Sequence, residues 1–116
     1  MTDHNHYLIP TTTFHQSNES ANSVVSDWTQ GAGYYGRSGG LHSFQYSVTD
    51  FEGDVQVQAA LVTGSPSEED WFTVSKLSHV DAETDSVIES VVGNFVWIRA
   101  VAELRAGSIN SLLMRF

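Results

Sequence analysis

The chain has 116 residues, 41% hydrophobic and 16% charged, with no cysteine and a net charge of −9. That is enough for one folded domain with a core, and too little for a substrate domain plus a cofactor domain. The acidic balance argues against non-specific nucleic-acid or anionic-membrane binding, each of which needs a basic patch, and without cysteine there are no disulfides and no thiolate chemistry.

In chain order, Met1–His6 is polar and reads as a frayed start, with neither the basic region nor the apolar run of a signal peptide. Tyr7 to Phe14 is predicted as a first strand, broken or held at a sheet edge by Pro10. Gln16 to Ser23 reads as loop and Val24 to Trp28 as a short strand. Gln30 to Gly40 carries five glycines around Tyr34 and Tyr35, a flexible or tightly turned connection. Phe44, Tyr46 and Val48 then alternate with Ser43, Gln45, Ser47 and Thr49, the pattern of a strand with one buried face.

Asp50 to Asp54 is predicted to turn the chain into a next strand whose apolar row is Val55, Val57, Ala59 and Leu61. Thr63 to Asp70 reads as an acidic loop, Trp71 to Leu77 as a strand and Asp81 to Asp85 as another turn. Val87 to Val92 leads into a terminal hairpin. There Val96, Ile98, Ala100, Ala102 and Leu104 share one face, Ala106-Gly107 makes the turn, and Leu112, Met114 and Phe116 form a second apolar row. Seven or eight short strands without a convincing helix predict an all-β, antiparallel β-sandwich, jelly-roll-like, spanning residues 1–116 as a single domain. No stretch approaches the roughly 20 apolar residues of a membrane-spanning helix.

Several motif matches lack their physical context. Gly31-Ala32-Gly33-Tyr34-Tyr35-Gly36 fits a dinucleotide-binding string, but Arg37-Ser38-Gly39-Gly40 cannot open the helix that would face a pyrophosphate. Gly36-Arg37-Ser38-Gly39-Gly40 fits a nucleophile elbow without the α/β scaffold, although His42 and His79 follow it. His4 and His6, with His15, offer too few ligands for a structural metal site. Asp81, Glu83 and Asp85 alternate like the start of a calcium loop, but Ser86 stands where glycine is needed and Val92 where the closing Glu belongs. Glu68, Glu69 and Asp70 read as a solvated acidic cluster. Asn18-Glu19-Ser20 is a glycosylation sequon only for a chain that enters a secretory pathway. No catalytic set, cofactor site or metal site is expected, a weak surface cation site at Asp81, Glu83 and Asp85 being the one alternative left open.

The aromatic residues carry more information. Phe95 and Trp97 fall opposite Val96 and Ile98, and Trp71 opposite Phe72 and Val74. Either these strands are central and covered on both faces, or the rings form a contact patch. Trp28, Tyr34, Tyr35 and Trp71, near Gln30 and Glu69, are also candidate platforms for a sugar.

Tyr34-Tyr35-Gly36-Arg37-Ser38-Gly39-Gly40-Leu41-His42, Asp50-Phe51-Glu52-Gly53-Asp54-Val55-Gln56-Val57-Gln58, Glu68-Glu69-Asp70-Trp71-Phe72 and Gly93-Asn94-Phe95-Val96-Trp97-Ile98-Arg99-Ala100 resemble small virion structural proteins of marine T4-like bacteriophages that infect cyanobacteria. The likeness covers about residues 34 to 116. It implies a non-enzymatic particle component, made in the host cytoplasm and placed in the virion, whose partners are other virion proteins or copies of itself. The alternative from the residues is a carbohydrate-binding or host-surface adhesion module. A small hydrolase using Ser38 or the acidic loop is a distant third.

Overall fold

The computed structural model describes residues 5–9, 12–13, 22–35 and 40–115. Its strands are β1 (Asn5–Ile9), β2 (Thr12–Thr13), β3 (Asn22–Val25), β4 (Thr29–Gln30), β5 (Gly40–Ala60), β6 (Phe72–Gly93) and β7 (Trp97–Arg115). Two short 3₁₀ turns, Ala32–Tyr35 and Glu68–Asp70, are the only helical pieces among the described residues. The chain is therefore an antiparallel all-β protein, and no helix is long and apolar enough to cross a membrane.

All strands belong to one sheet, with β5 between β6 and β7. Along the far side of β7 the four N-terminal strands follow one another, from Asn5 opposite Arg115 to Gln30 opposite Trp97. β1 thus lies at an edge, where the neighbouring Pro10 (itself outside the described residues) was expected to put it.

The predicted turns are not hairpin turns. Asp50–Asp54 lies inside β5, Asp81–Asp85 inside β6, and Ala106-Gly107 inside β7, so the expected terminal hairpin is one continuous strand. The three segments lie side by side: Phe51 is opposite Glu83, and Glu52 is opposite Ala106. Together they form a crease across the sheet. Gly107 (φ 73°) has no room for a side chain, since a Cβ there would clash with the Asp50 carbonyl oxygen. Turn-forming residues serve a bulge as readily as a turn, because both need backbone that leaves the pleat.

The bulge also resets which residues face inward. Buried positions in β5 are even up to Val48 and odd from Phe51 to Ala59. In β7 the buried positions run from Ile98 to Leu104, shift to Ile109, and shift back at Leu112 and Met114. One face of the long sheet therefore stays apolar on both sides of the crease.

Bending brings these two halves together. A straight 21-residue strand would reach roughly 70 Å, whereas the longest dimension of the molecule is 43 Å. Phe44, Tyr46 and Val48 from one half join Val55, Val57, Ile98, Ala100 and Leu104 from the other in one core. Phe72, at the start of β6, and Phe95, just past its end, have ring centroids 6.3 Å apart. Leu61, expected to continue the apolar row of β5, lies past the strand and is exposed.

Candidate functional site

Register places Trp97 and Arg99 of β7 and Gln58 of β5 on the outer face of one half of the sheet. Trp97 donates its indole N–H to the Gly64 carbonyl at 2.9 Å, which ties the β5–β6 loop to this face. Trp28 meets the Trp97 ring edge-on, with centroids 4.7 Å apart and planes at 89°, and Tyr34 lies 5.2 Å from the same ring. Such edge-on pairs are favoured by the ring quadrupoles. Trp28 and Tyr34 stay 43% and 47% exposed, so this group of rings reaches solvent.

Arg99 organises the adjoining part. Its Nε donates to Gln58 Oε1 at 2.9 Å, its two terminal nitrogens reach the Glu68 carboxylate at 3.3 and 3.2 Å, and its guanidinium lies 4.4 Å from the Trp71 ring centre. Planar arginine suits simultaneous stacking and two-point carboxylate binding in a way lysine does not. The Arg99 hydrogen bonds and charge hold the Glu68 carboxyl below its ordinary range. Glu68 opens a 3₁₀ turn closed on itself by Ser67, whose N–H donates to Asp70 at 2.7 Å.

The structure thus gathers Trp28, Tyr34, Trp71 and Trp97 on one face and adds Arg99, Gln58 and Glu68, whose joint role sequence reasoning missed. Outward alternation marked Arg99 and Gln58 individually; nothing in the sequence joined residues 41 positions apart. Gln30, at the end of β4, is opposite Trp97 in register. The Tyr35 side chain lies outside the described residues, as do Ser38 and the histidines at 4 and 15. Phe95 is corrected: it precedes β7 instead of lying on it, and its ring is buried against His42, centroids 5.0 Å apart. It belongs to the core and offers no contact surface. Phe72 and Val74 share the early part of β6, where Phe72 is exposed, while Trp71 lies half-buried beside Arg99 before the strand begins.

His42 has a structural role. Its Nε2 accepts from the Ala32 N–H at 3.0 Å and its Nδ1 faces the Gly40 carbonyl at 3.2 Å. Those partners require a neutral ring with the proton on Nδ1. Burial lowers its pKa, with the Gly40 contact opposing in part.

A second exposed surface follows β6. This 22-residue strand pairs with β5 on one side only among the described residues. Val80, Ile88 and Val92 are exposed along it, with Leu41 opposite Val92. Comparison of the chain with protein-family models, curated proteins and solved structures gives no match.

Proposed function

We propose that this chain is a non-enzymatic structural protein of a bacteriophage particle, working by protein–protein assembly, with the creased sheet acting as a jelly-roll-like β-sandwich. The observation that carries the reading is the exposed β6 edge. A long edge strand presents a row of unpaired backbone donors and acceptors, and natural proteins cover or disrupt such edges unless they are used. Here the edge also exposes Val80, Ile88 and Val92, apolar area of the kind that contact surfaces bury. In this reading β6 docks on other virion proteins or on copies of the chain, after synthesis in the host cytoplasm. Mass spectrometry of purified particles, beside light scattering of the isolated chain, tests it. Absence of the chain from particles defeats the reading.

The aromatic face supports a second reading, a carbohydrate-binding or host-surface adhesion module. Exposed rings suit the C–H faces of a sugar, and Gln58 with the Arg99–Glu68 pair supplies hydroxyl partners. A glycan array compared with Trp28→Ala and Tyr34→Ala variants separates the two: absence of any glycan signal removes this one.

A further inference from the structure

We propose that His79, Asp85 and Glu83, on the crease of β6, form a site for a divalent transition-metal ion, with zinc the best fit. Along a regular strand, residues four apart are separated by about 13 Å. Here His79 Nδ1 lies 3.1 Å from Glu83 Oε2. The cause is the bulge: between the pairs Phe51–Glu83 and Gly53–His79, β5 advances two residues while β6 advances four. The extra residues bulge from β6 at this point, and Asp85 lies with Oδ2 3.4 Å from His79 Nε2. One donor atom from each of the three residues lies within 4.8 Å of the others.

The imidazole supplies the argument for an ion. Its side chain is 12% exposed, and the Phe51 ring packs edge-on against it with centroids 6.4 Å apart. The two carboxylates remain 56% and 38% exposed, so the group has a buried nitrogen wall and an open acidic mouth. Whenever the ring is neutral it has one proton, and Glu83 is the acceptor placed to hold it on Nδ1. Nε2 is then a lone pair, buried and without a hydrogen bond, directed at a carboxylate oxygen. Two acceptors facing each other in a sheltered place repel, and buried polar atoms are normally satisfied.

A metal cation between Nε2 and Asp85 removes that conflict, and it competes with a second ring proton for the same lone pair. Tetrahedral zinc with bonds near 2.0–2.1 Å sets neighbouring donors ~3.4 Å apart, the spacing found between Nε2 and Asp85. Mixed imidazole and carboxylate donors favour zinc and its neighbours over calcium or magnesium, which prefer oxygen alone. In this assignment Nε2 and Asp85 are the ligands. Glu83, accepting the Nδ1 proton, is the positioning residue that fixes the ring, and water completes the shell from the exposed side.

Isothermal titration calorimetry of the full chain with zinc chloride is the test, with circular dichroism confirming the fold of every variant. One zinc per chain is expected, with weaker binding of calcium and magnesium. Asp85→Asn should weaken zinc at least 10-fold, and Glu83→Gln should weaken it by about 10-fold or more. The combined His4→Asn, His6→Asn and His15→Asn variant should bind zinc as the parent does. Zinc should also move the His79 Nε2 signal in long-range ¹H–¹⁵N spectra, a readout independent of affinity. No zinc uptake by folded parent chain, unchanged affinity in Asp85→Asn, loss of binding in the triple histidine variant, or calcium binding as tight as zinc each overturns the assignment.

Discussion

Tyr46 Oη and Ser75 Oγ share a buried hydrogen bond across the core, although the two residues are 29 positions apart and lie on opposite sides of the crease. Tyr46 belongs to the part of β5 before the bulge; Ser75 lies opposite Val57, well beyond it. The bond therefore reports directly on closure of the two halves. Tyr46→Phe should leave the ring packed and orphan the Ser75 hydroxyl, at a cost of about 1–3 kcal/mol. Urea denaturation of both proteins gives the value, and equal midpoints would mean that this bond contributes nothing to closure.

Tyr46 also sets the alkaline limit. Burial foremost, opposed by the Ser75 hydrogen bond and reinforced by Glu89, pushes its phenol up to about 12. In the unfolded chain the same phenol loses its proton near 10. Between those values the folded state holds the extra proton, so stability present below pH 10 falls as pH rises towards 12. Absorbance titration near 295 nm should show one tyrosine ionising last, together with unfolding. Tyr46→Phe should lack that late step.

His42 produces the opposite slope on the acid side. Its folded pKa lies below its ordinary value of 6.5, so as pH falls through about 6.5 the unfolded chain takes up the proton first. Stability is complete above that point and declines below it, until the folded-state pKa is passed. NMR should show the His42 ring still neutral at pH 6.5. A ring already half protonated there would contradict its paired, buried position.

Gly107 tests the crease. Its φ of 73° and the Asp50 carbonyl, with which an added Cβ would clash, leave no space for a methyl group. Gly107→Ala should cost more than about 2 kcal/mol, since strained backbone and a backbone clash add. Gly64→Ala, with nothing within 4 Å of the new Cβ, should change stability little. Thermal melts of the two variants make the comparison, and similar melting points would argue against a tightly packed crease.

Edge docking predicts that Ile88→Lys and Val92→Lys abolish incorporation into particles while leaving the isolated chain's melting temperature within about 2 °C, because both side chains are exposed. Particles assembled in the presence of each variant, then analysed by mass spectrometry, supply the readout.

Much of the strand content was legible because the alternation is strong: Phe44 to Val48, Val55 to Ala59 and Ile98 to Leu104 are buried as their period of two requires. The connections were not legible. Asp50, Gly53 and Gly107 suit a tight turn and a bulge equally, and only the pairing of the whole sheet chooses between them. The same ambiguity put Phe95 on a strand face when it closes the core from a loop. At the aromatic face, the ring types could be read but not their convergence, which depends on β4 and β7 meeting through long-range register. His79 and Glu83 were invisible as a pair because a regular strand would hold them far apart.

The pairing of β1 with the far end of β7 has a bearing on how the chain is made. Asn5 is opposite Arg115, 110 residues later, and each of the next three short strands likewise pairs with a stretch of β7 far along the chain, at a separation that shortens from strand to strand. β1 to β4 thus find their pairing partner only once β7 has been made. Pairing over such sequence separations favours slow folding, because loop closure is paid for before the contacts form.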